Sequence, residues 1–131
     1  MVGIDIIEVK RVKKAIRENP NITDRFLTEY EKNYISLKTD HSAGKKYPAN
    51  LYSIAGMFAA KEAILKAIGV GITSGFGFLD IEIGHTKLGA PIVTLSKKLK
   101  DYCKKNKFGE ISVSVSHDGE YSIAHAIIQP L

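Results

Sequence analysis

The strongest pattern of apolar and polar positions lies between residues 51 and 71. Its apolar side chains recur at intervals of three and four residues, which predicts a helix with one face in a core: Leu51, Ile54, Ala55, Phe58 and Leu65. At about 100° per residue, Glu62 falls inside that arc. A carboxylate on the buried side of a helix is costly unless a positive group meets it. Gly69 and Gly71 then predict the end of the helix, through a left-handed cap and a close backbone approach.

Alternation of apolar with polar or small side chains predicts short strands in five places: residues 2–7, 79–83, 92–95, 110–116 and 121–128. The last two are separated by Asp118-Gly119, a tight turn, and form a hairpin with His117 at its mouth. Asp5 lies in the middle of the first strand, where aspartate is depleted. Two interpretations of Asp5 stay open at this point: a strand-end turn or cap, and a carboxylate kept there for function.

Apolar spacing predicts further helices at residues 8–17, between about 24 and 37, and at 97–105. Side chains that cap helices precede or open the last two: Thr23 or Asp24, a Thr28–Glu31 capping box, and Ser96. Residues 38–50 are polar and contain Gly and Pro, which predicts a mobile surface loop to which we assign no role. The order of elements predicts an α+β fold with mostly antiparallel strands and a long central helix, in one domain spanning residues 1–131.

Composition restricts the class of protein. The chain has 131 residues, 44% of them hydrophobic and 25% charged, as in ordinary globular domains. No apolar run approaches the roughly 20 residues that span a bilayer, so we expect no membrane association. Asp5 stands where a signal peptide would need a basic start and an apolar run. Cys103 is the single cysteine and forms no internal disulfide, which favours a cytoplasmic location.

The net charge of +5 and the isoelectric point of about 9.3 suggest an acidic partner or a phosphorylated ligand. The basic residues cluster at positions 10–17 and 97–107. They lack any nucleic-acid-binding motif, so nucleic-acid binding is a rival that rests on charge alone, and we expect no such partner. A nucleotide- or coenzyme-binding module without catalytic activity is the other rival.

Asp5 and Glu62 are the two carboxylates that the pattern places on otherwise apolar surfaces. Such oxygen ligands suit Mg²⁺, which takes one or two protein carboxylates together with waters and substrate phosphates. The alternative for Glu62 is a helix ion pair with Lys66 four residues later. Lys61 and Lys66 flank Glu62 and precede the glycine pair, so phosphate contact competes with simple solvation for both. One cysteine and four scattered histidines offer no zinc-ligand spacing.

Several motifs resemble those of a known family and occur in the same order over nearly the whole chain. They are Gly3-Ile4-Asp5-Ile6, Glu8-Val9-x-Arg11, Phe58-Ala-Ala-Lys-Glu-Ala63, Lys66-Ala67, Gly69-x-Gly71-Ile72, Asp80-Ile-Glu-Ile83, Gly89-x-Pro91, and Ser114-Val-Ser-His117 with Tyr121. Together they resemble the short bacterial 4′-phosphopantetheinyl transferases, the holo-[acyl-carrier-protein] synthase family. The resemblance implies the single-lobe fold of that family. Ile7 stands where the larger two-lobed transferases have an acidic residue, which favours the short class.

The resemblance implies an enzyme that transfers the 4′-phosphopantetheine arm of coenzyme A to a serine of apo acyl carrier protein. The other product would be adenosine 3′,5′-bisphosphate, and the reaction would support fatty acid biosynthesis. By motif, Asp5 and Glu62 would hold Mg²⁺ against the pyrophosphate of coenzyme A. Glu62 would also take the serine proton, directly or through water, and Lys66 would lie near the phosphates as a second catalytic residue.

The family pattern also implies binding surfaces. It places five residues along the coenzyme A groove, the last two near the adenine: His117, Gly69, Gly71, Gly89 and Pro91. Arg11 matches the position that meets the acidic recognition helix of the carrier protein, and members of the short class are homotrimers. Two residues depart from the family pattern. Met57 replaces a common arginine, and Asp118 replaces a neutral residue after His117, so both bear on coenzyme A affinity.

Overall fold

The structure, a computed structural model, describes residues 1–38, 45–71 and 74–131. Within those ranges, five strands and four α-helices follow one another in the order of an α+β fold. They are β1 (Val2–Glu8), α1 (Val9–Glu18), α2 (Glu29–Ser36), α3 (Ala49–Ile68), β2 (Ile81–His85), β3 (Pro91–Leu95), α4 (Lys97–Lys105), β4 (Phe108–Asp118) and β5 (Tyr121–Pro130). Short 3₁₀ turns occur at Ile22–Arg25 and Phe78–Asp80.

The strands form two antiparallel sheets, one of three strands in the order β1-β5-β4 and one that pairs β2 with β3. The predicted α+β class with antiparallel strands and a long central helix is confirmed. Helix α3 lies across the inner face of the larger sheet. Three inward positions of β5 carry small, buried side chains, which lets the helix approach closely: Ser122, Ala124 and Ala126. No helix in the described part of the chain has the length and hydropathy to cross a membrane.

The closest approach of helix to sheet occurs at Gly3 on β1. A Cβ atom at this position would lie 2.0 Å from the carbonyl oxygen of Ala63 and 2.7 Å from the amide nitrogen of Ala67. Those are backbone atoms of α3, which cannot move aside as a flexible side chain could. Glycine is therefore required here, and the contact fixes the third residue of the chain against the C-terminal half of the helix.

Helix α3 is enclosed on most sides, which corrects the predicted single buried arc. Thirteen of its 20 residues are buried. The least buried stripe consists of Ile54, Phe58, Glu62 and Lys66, so Glu62 lies on the open side and not inside a core-facing arc. The reason is that alanines and one glycine on the other faces let the sheet pack closely there, and burial does not follow side-chain hydrophobicity.

The helix termini test the predicted caps. Gly69 has a φ of 83° and closes α3 with a left-handed cap, as predicted. No atom of the described residues lies within 4 Å of a Cβ added at Gly71, so the close backbone approach predicted there stays a prediction. The Thr28–Glu31 capping box of α2 is confirmed. The helix predicted to start at Thr23 or Asp24 is only a 3₁₀ turn, since Phe26 leaves the helical path to enter the core.

Two sequence-based assignments fall partly on residues that the structure does not describe. Residues 39–44 belong to the predicted 38–50 loop and lie outside the described ranges. Ile72, part of the glycine motif after α3, lies outside them as well. Just after the first gap, Tyr47 is buried and Pro48 precedes the first residue of α3.

The outer face of the larger sheet is apolar yet exposed. Five aliphatic side chains of β1 and β5 are between 37% and 66% exposed on this face: Val2, Ile4, Ile6, Ile123 and Ile127. Cross-strand pairing places them side by side, with Val2 opposite Ile127 and Ile6 opposite Ile123. His125 lies opposite Ile4, in the middle of the patch.

The Gly3 contact predicts a large effect for a small substitution. We expect Gly3→Ala to lower the free energy of unfolding by about 3 kcal/mol or more, because the added methyl group forces β1 away from α3. Urea unfolding followed by circular dichroism measures the change. Gly77→Ala is the matched control, since nothing lies within 4 Å of its added Cβ and we expect a change within about 0.5 kcal/mol. Equal stabilities for the two variants would contradict the contact.

Candidate functional site

The structure brings Asp5 and Glu62 to one groove, although 56 positions separate them in the sequence. The groove has a volume of about 560 Å³ and runs between β1, α1 and α3. Aromatic rings form one wall: Phe26 packs edge-on against Phe58 at 5.1 Å between ring centroids, and Phe78 lies 5.2 Å from Phe58. The two carboxylates therefore share a partly desolvated surface.

Lys66 completes the cluster through Asp5. Its Nζ donates to Asp5 Oδ1 at 3.0 Å and to the carbonyl oxygen of Ile4 at 3.1 Å. The helix ion pair considered for Glu62 and Lys66 is not formed among the described residues, since Lys66 pairs with Asp5 instead. Lys66 therefore joins the open end of α3 to β1, and Glu62 is left without an ion-pair partner of its own there.

The pKa of Glu62 is raised above its ordinary value. Burial in the groove is the largest cause, and the negative charge of Asp5 adds to it, while Lys66 acts in the opposite direction. Two neighbouring carboxylates that penalise each other's charge are a donor set that a hard divalent cation satisfies. The described residues contain no group of three or more acidic, histidine or cysteine side chains that would form a complete protein metal cage. The pair fits Mg²⁺, which binds few protein ligands and keeps water and phosphate oxygens.

Lys61 lies away from this groove, so its predicted phosphate contact is wrong. Its side chain is fully buried, and its Nζ donates to Glu31 Oε1 and to the carbonyl oxygen of Phe26, both at 2.6 Å. Burial lowers the pKa of Lys61, and the hydrogen bond and charge of Glu31 oppose that effect. Successive residues of a helix are rotated by about 100° about its axis, so the neighbouring side chains of Lys61 and Glu62 point into different environments.

A second cavity, of about 230 Å³, gathers other predicted site residues. Gly89, Pro91 and His117 all line it. His117 Nδ1 is 2.7 Å from the hydroxyl oxygen of Ser122, and burial together with Lys45 and Lys38 lowers the pKa of His117. The structure therefore brings these three of the predicted coenzyme-binding residues to one cavity.

The second cavity also contains residues that sequence reasoning missed. His85 stacks on Tyr34 with ring centroids 4.2 Å apart, and its buried Nδ1 has no hydrogen-bond partner among the described residues. Burial and the charge of Lys38 lower the pKa of His85. Lys38 lines the cavity beside the buried Met57, the position where a cation was expected. The signals available in the sequence were weak: a histidine at a strand end and a lysine at the edge of a loop.

The remaining predicted residues lie at the periphery. Arg11 is exposed on α1 and lines the rim of the first groove, as does Arg25 from the 3₁₀ turn. Gly69 and Gly71 are exposed and line neither cavity, so the structure does not bring the glycine turn into the groove. Asp118 is exposed in the β4–β5 hairpin.

Comparisons with known proteins give a consistent result. The family model of the 4′-phosphopantetheinyl transferase superfamily matches residues 1–126. A holo-[acyl-carrier-protein] synthase of Clostridium botulinum is 45% identical over 98% of this chain and 95% of its own length. Two solved structures are also similar. The Helicobacter pylori synthase in complex with coenzyme A is 36% identical, with a TM-score of 0.81 over 98% of this chain and all of that one. The Bacillus anthracis synthase with coenzyme A (3′,5′-ADP) is 33% identical, with a TM-score of 0.76 over 99% and 96%.

The raised pKa of Glu62 predicts a stability effect with a definite sign. When a carboxyl group has a higher pKa in the folded state, the free energy of unfolding falls as the pH rises from the unfolded pKa through the folded pKa. At pH 7 the ionised Glu62 therefore opposes folding. We therefore expect Glu62→Gln to raise the free energy of unfolding at pH 7 in metal-free buffer. The gain should vanish below the unfolded pKa of about 4.3. Urea unfolding at both pH values measures it, with the exposed Glu110→Gln as control, and a loss of stability at pH 7 would contradict the stated cause.

Proposed function

The chain belongs to the 4′-phosphopantetheinyl transferase superfamily, and on that premise we propose that it is a holo-[acyl-carrier-protein] synthase acting on coenzyme A and apo acyl carrier protein. The single observation that carries the proposal is the pair of carboxylates, Asp5 and Glu62, in one open groove, with Lys66 bonded to Asp5. It supplies two carboxylates and an ammonium group within one site, which is what a reaction at a pyrophosphate needs.

Asp5 and Glu62 would hold Mg²⁺ against the pyrophosphate of coenzyme A. When bound, the cation supplies positive charge that stabilises the negative charge developing on the leaving phosphate. Lys66 is half-exposed at the same end of α3, and its ammonium can donate to a phosphate oxygen from there. The support for these roles is the proximity of the three side chains and the unfavourable charge interaction between the two carboxylates.

Glu62 is the proposed general base. In the transfer, the serine oxygen of the carrier forms a bond to the phosphorus of the pantetheine phosphate, and the pyrophosphate bond to the adenosine part breaks. The serine proton passes to Glu62 and adenosine 3′,5′-bisphosphate leaves. Glu62 lies on the open stripe of α3 and lines the groove, whereas Asp5 is already bonded to Lys66, which supports this role for Glu62 over Asp5.

The second cavity is the proposed site for the nucleotide end of coenzyme A. His117, His85 and Lys38 give it hydrogen-bonding and positive groups, and Gly89 and Pro91 form part of its wall. The ring of His85 lines this cavity, and its buried Nδ1 is a polar atom without a partner among the described residues. The relatives with coenzyme A bound support the ligand, and Lys38 is the proposed substitute for the cation that Met57 does not provide.

The proposed partner surface for the carrier protein is the rim of the first groove. Arg11 is exposed there, next to the groove that contains Asp5 and Glu62, so an acidic helix docked on it would bring its serine near the carboxylates. A net charge of +5 would increase the rate of encounter with an acidic partner.

A homotrimer is the proposed assembly. The exposed aliphatic patch on the outer face of the larger sheet supports an interface between copies, since exposed apolar patches of this kind commonly mark protein contacts. The proposed setting is the cytoplasm, where the product would support fatty acid biosynthesis. Analytical ultracentrifugation measures the assembly.

The transfer itself is tested by mass spectrometry of the carrier. With Mg²⁺, coenzyme A and apo acyl carrier protein present, we expect the carrier to gain the mass of one phosphopantetheine group. Asp5→Ala and Glu62→Gln should each lower the rate by about 100-fold or more, because each removes a proposed ligand and Glu62→Gln also removes the base. Glu110→Gln should retain the full rate. An unmodified carrier with the folded unaltered chain would contradict the function, and retained Mg²⁺-dependent turnover in either variant would contradict the ligand roles.

The docking role of Arg11 predicts a selective kinetic effect. We expect Arg11→Ala to raise KM for the carrier about 1.4- to fivefold, the size of an exposed ion pair of about 0.2–1 kcal/mol, and to leave KM for coenzyme A nearly unchanged. The effect should shrink as salt is added. Arg17→Ala, also exposed on α1 but away from the groove, is the control. Equal changes in both KM values would argue against docking at Arg11.

A further inference from the structure

Glu31 and Lys61 form an ion pair in which both side chains are fully buried, the single such pair in the described ranges. Their Oε1 and Nζ atoms are 2.6 Å apart. Removing two charges from water is expensive, and well-packed apolar residues of similar volume often stabilise a fold as well or better. Stability is therefore a weak explanation for keeping this pair, and its geometry suggests what else it does.

Hydrogen bonds of the Glu31–Lys61 pair connect four segments of the chain at one point. Glu31 Oε1 accepts from the amide of Thr28 at 2.8 Å, and Glu31 Oε2 accepts from the amide of Ile83 in β2 at 2.7 Å. Lys61 Nζ donates to the carbonyl oxygen of Phe26 at 2.6 Å. The start of α2, the segment before it, strand β2 and helix α3 are thus held together by directional bonds, which fix orientation as well as distance.

The residues that this pair connects lie directly behind the groove that contains Asp5 and Glu62. Lys61 precedes Glu62, so fixing Lys61 sets the rotation of α3 about its axis and the direction of Glu62. Phe26, whose carbonyl oxygen accepts from Lys61, packs its ring on Phe58, and both rings line the groove with Glu62. On the other side, Ile83 lines the second cavity. The pair therefore stands between the two cavities and touches a wall of each.

We propose that Glu31 and Lys61 are positioning residues for the transfer reaction. They hold α3 at the rotation that directs Glu62 toward Asp5, and they hold the wall formed by Phe26 beside Glu62. Gly3 fixes the same helix from the β1 side, at Ala63, so α3 is clamped on two sides around Glu62. This inference rests on the proposed function of Glu62, and the two can fail separately.

The test removes the charges together. Lys61→Met alone leaves a buried, uncompensated carboxylate and can fail to fold, so the principal variant is the double substitution Glu31→Met with Lys61→Met. Leu99→Ala is the matched control, because Leu99 is fully buried on α4 and lines neither cavity. All proteins are compared well below their unfolding midpoints. Two quantities are measured: kcat for transfer, and the dissociation constant of Mn²⁺ in the presence of coenzyme A, by electron paramagnetic resonance.

We expect the double variant to lose about 10- to 100-fold in kcat, since small misplacements of reacting groups have effects of this size. Its Mn²⁺ dissociation constant should rise about tenfold, and its KM for the carrier should change little because the Arg11 surface is untouched. Leu99→Ala should retain kcat and Mn²⁺ affinity. A double variant that matches the Leu99→Ala control in both quantities would overturn the inference and leave the pair a purely structural feature.

A milder variant decides the question if the double variant does not fold. Glu31→Gln keeps the size of the side chain and one oxygen for Thr28 and Lys61, but it removes the negative charge beside Lys61 and replaces the oxygen that accepts from the amide of Ile83 by an amide nitrogen. We expect the same direction of change in Mn²⁺ affinity and kcat, and unchanged values would contradict the positioning role. Failure of the proposed function would appear differently, as an unmodified carrier with the unaltered chain.

Discussion

The site depends on one close contact, between Gly3 of β1 and the backbone of α3 at Ala63 and Ala67. Because no side chain separates strand from helix there, the side chains next to this contact on the strand and on the helix come close to one another. Asp5 follows Gly3 on the same face of β1, and Glu62 and Lys66 flank Ala63 on α3. The absence of a Cβ at one position therefore brings two carboxylates and an ammonium group together. The small residues of β5 extend the same close packing along the helix.

Two lysines of α3 show how position decides chemistry. Lys61 and Lys66 lie five residues apart, and both flank Glu62 in the sequence. Lys66 reaches the open end of the helix and pairs with Asp5 where solvent and ligands have access. Lys61 points into the protein and is enclosed with Glu31. Lys66 can therefore contact a phosphate, whereas Lys61 contacts only other residues of the protein. The enclosed pair in turn restricts how α3 can rotate, which links the interior to the groove.

The sequence predicted local features well because local rules govern them. The left-handed cap at Gly69, the capping box of Thr28 and Glu31 and the β4–β5 hairpin follow from backbone preferences of a few residues. The orientation of α3 was not predictable in this way. Its alanines look neutral on a helical wheel, yet they mark the most tightly packed faces, and the larger apolar residues Ile54 and Phe58 lie on the open stripe with Glu62. The partner of Lys61, 30 residues away, and the stack of His85 on Tyr34 depend on tertiary packing that no short-range pattern encodes.

The central claim is that Asp5 and Glu62 form one cation site at the coenzyme A pyrophosphate. The most direct measurement is a crystal structure of the chain with coenzyme A and Mn²⁺, with X-ray data collected at the manganese absorption edge. The account predicts an anomalous peak within about 2.0–2.4 Å of a carboxylate oxygen of both Asp5 and Glu62, the range of hard-cation coordination. A manganese peak bound elsewhere on coenzyme A, with Asp5 still paired to Lys66 and Glu62 free of metal, would contradict it.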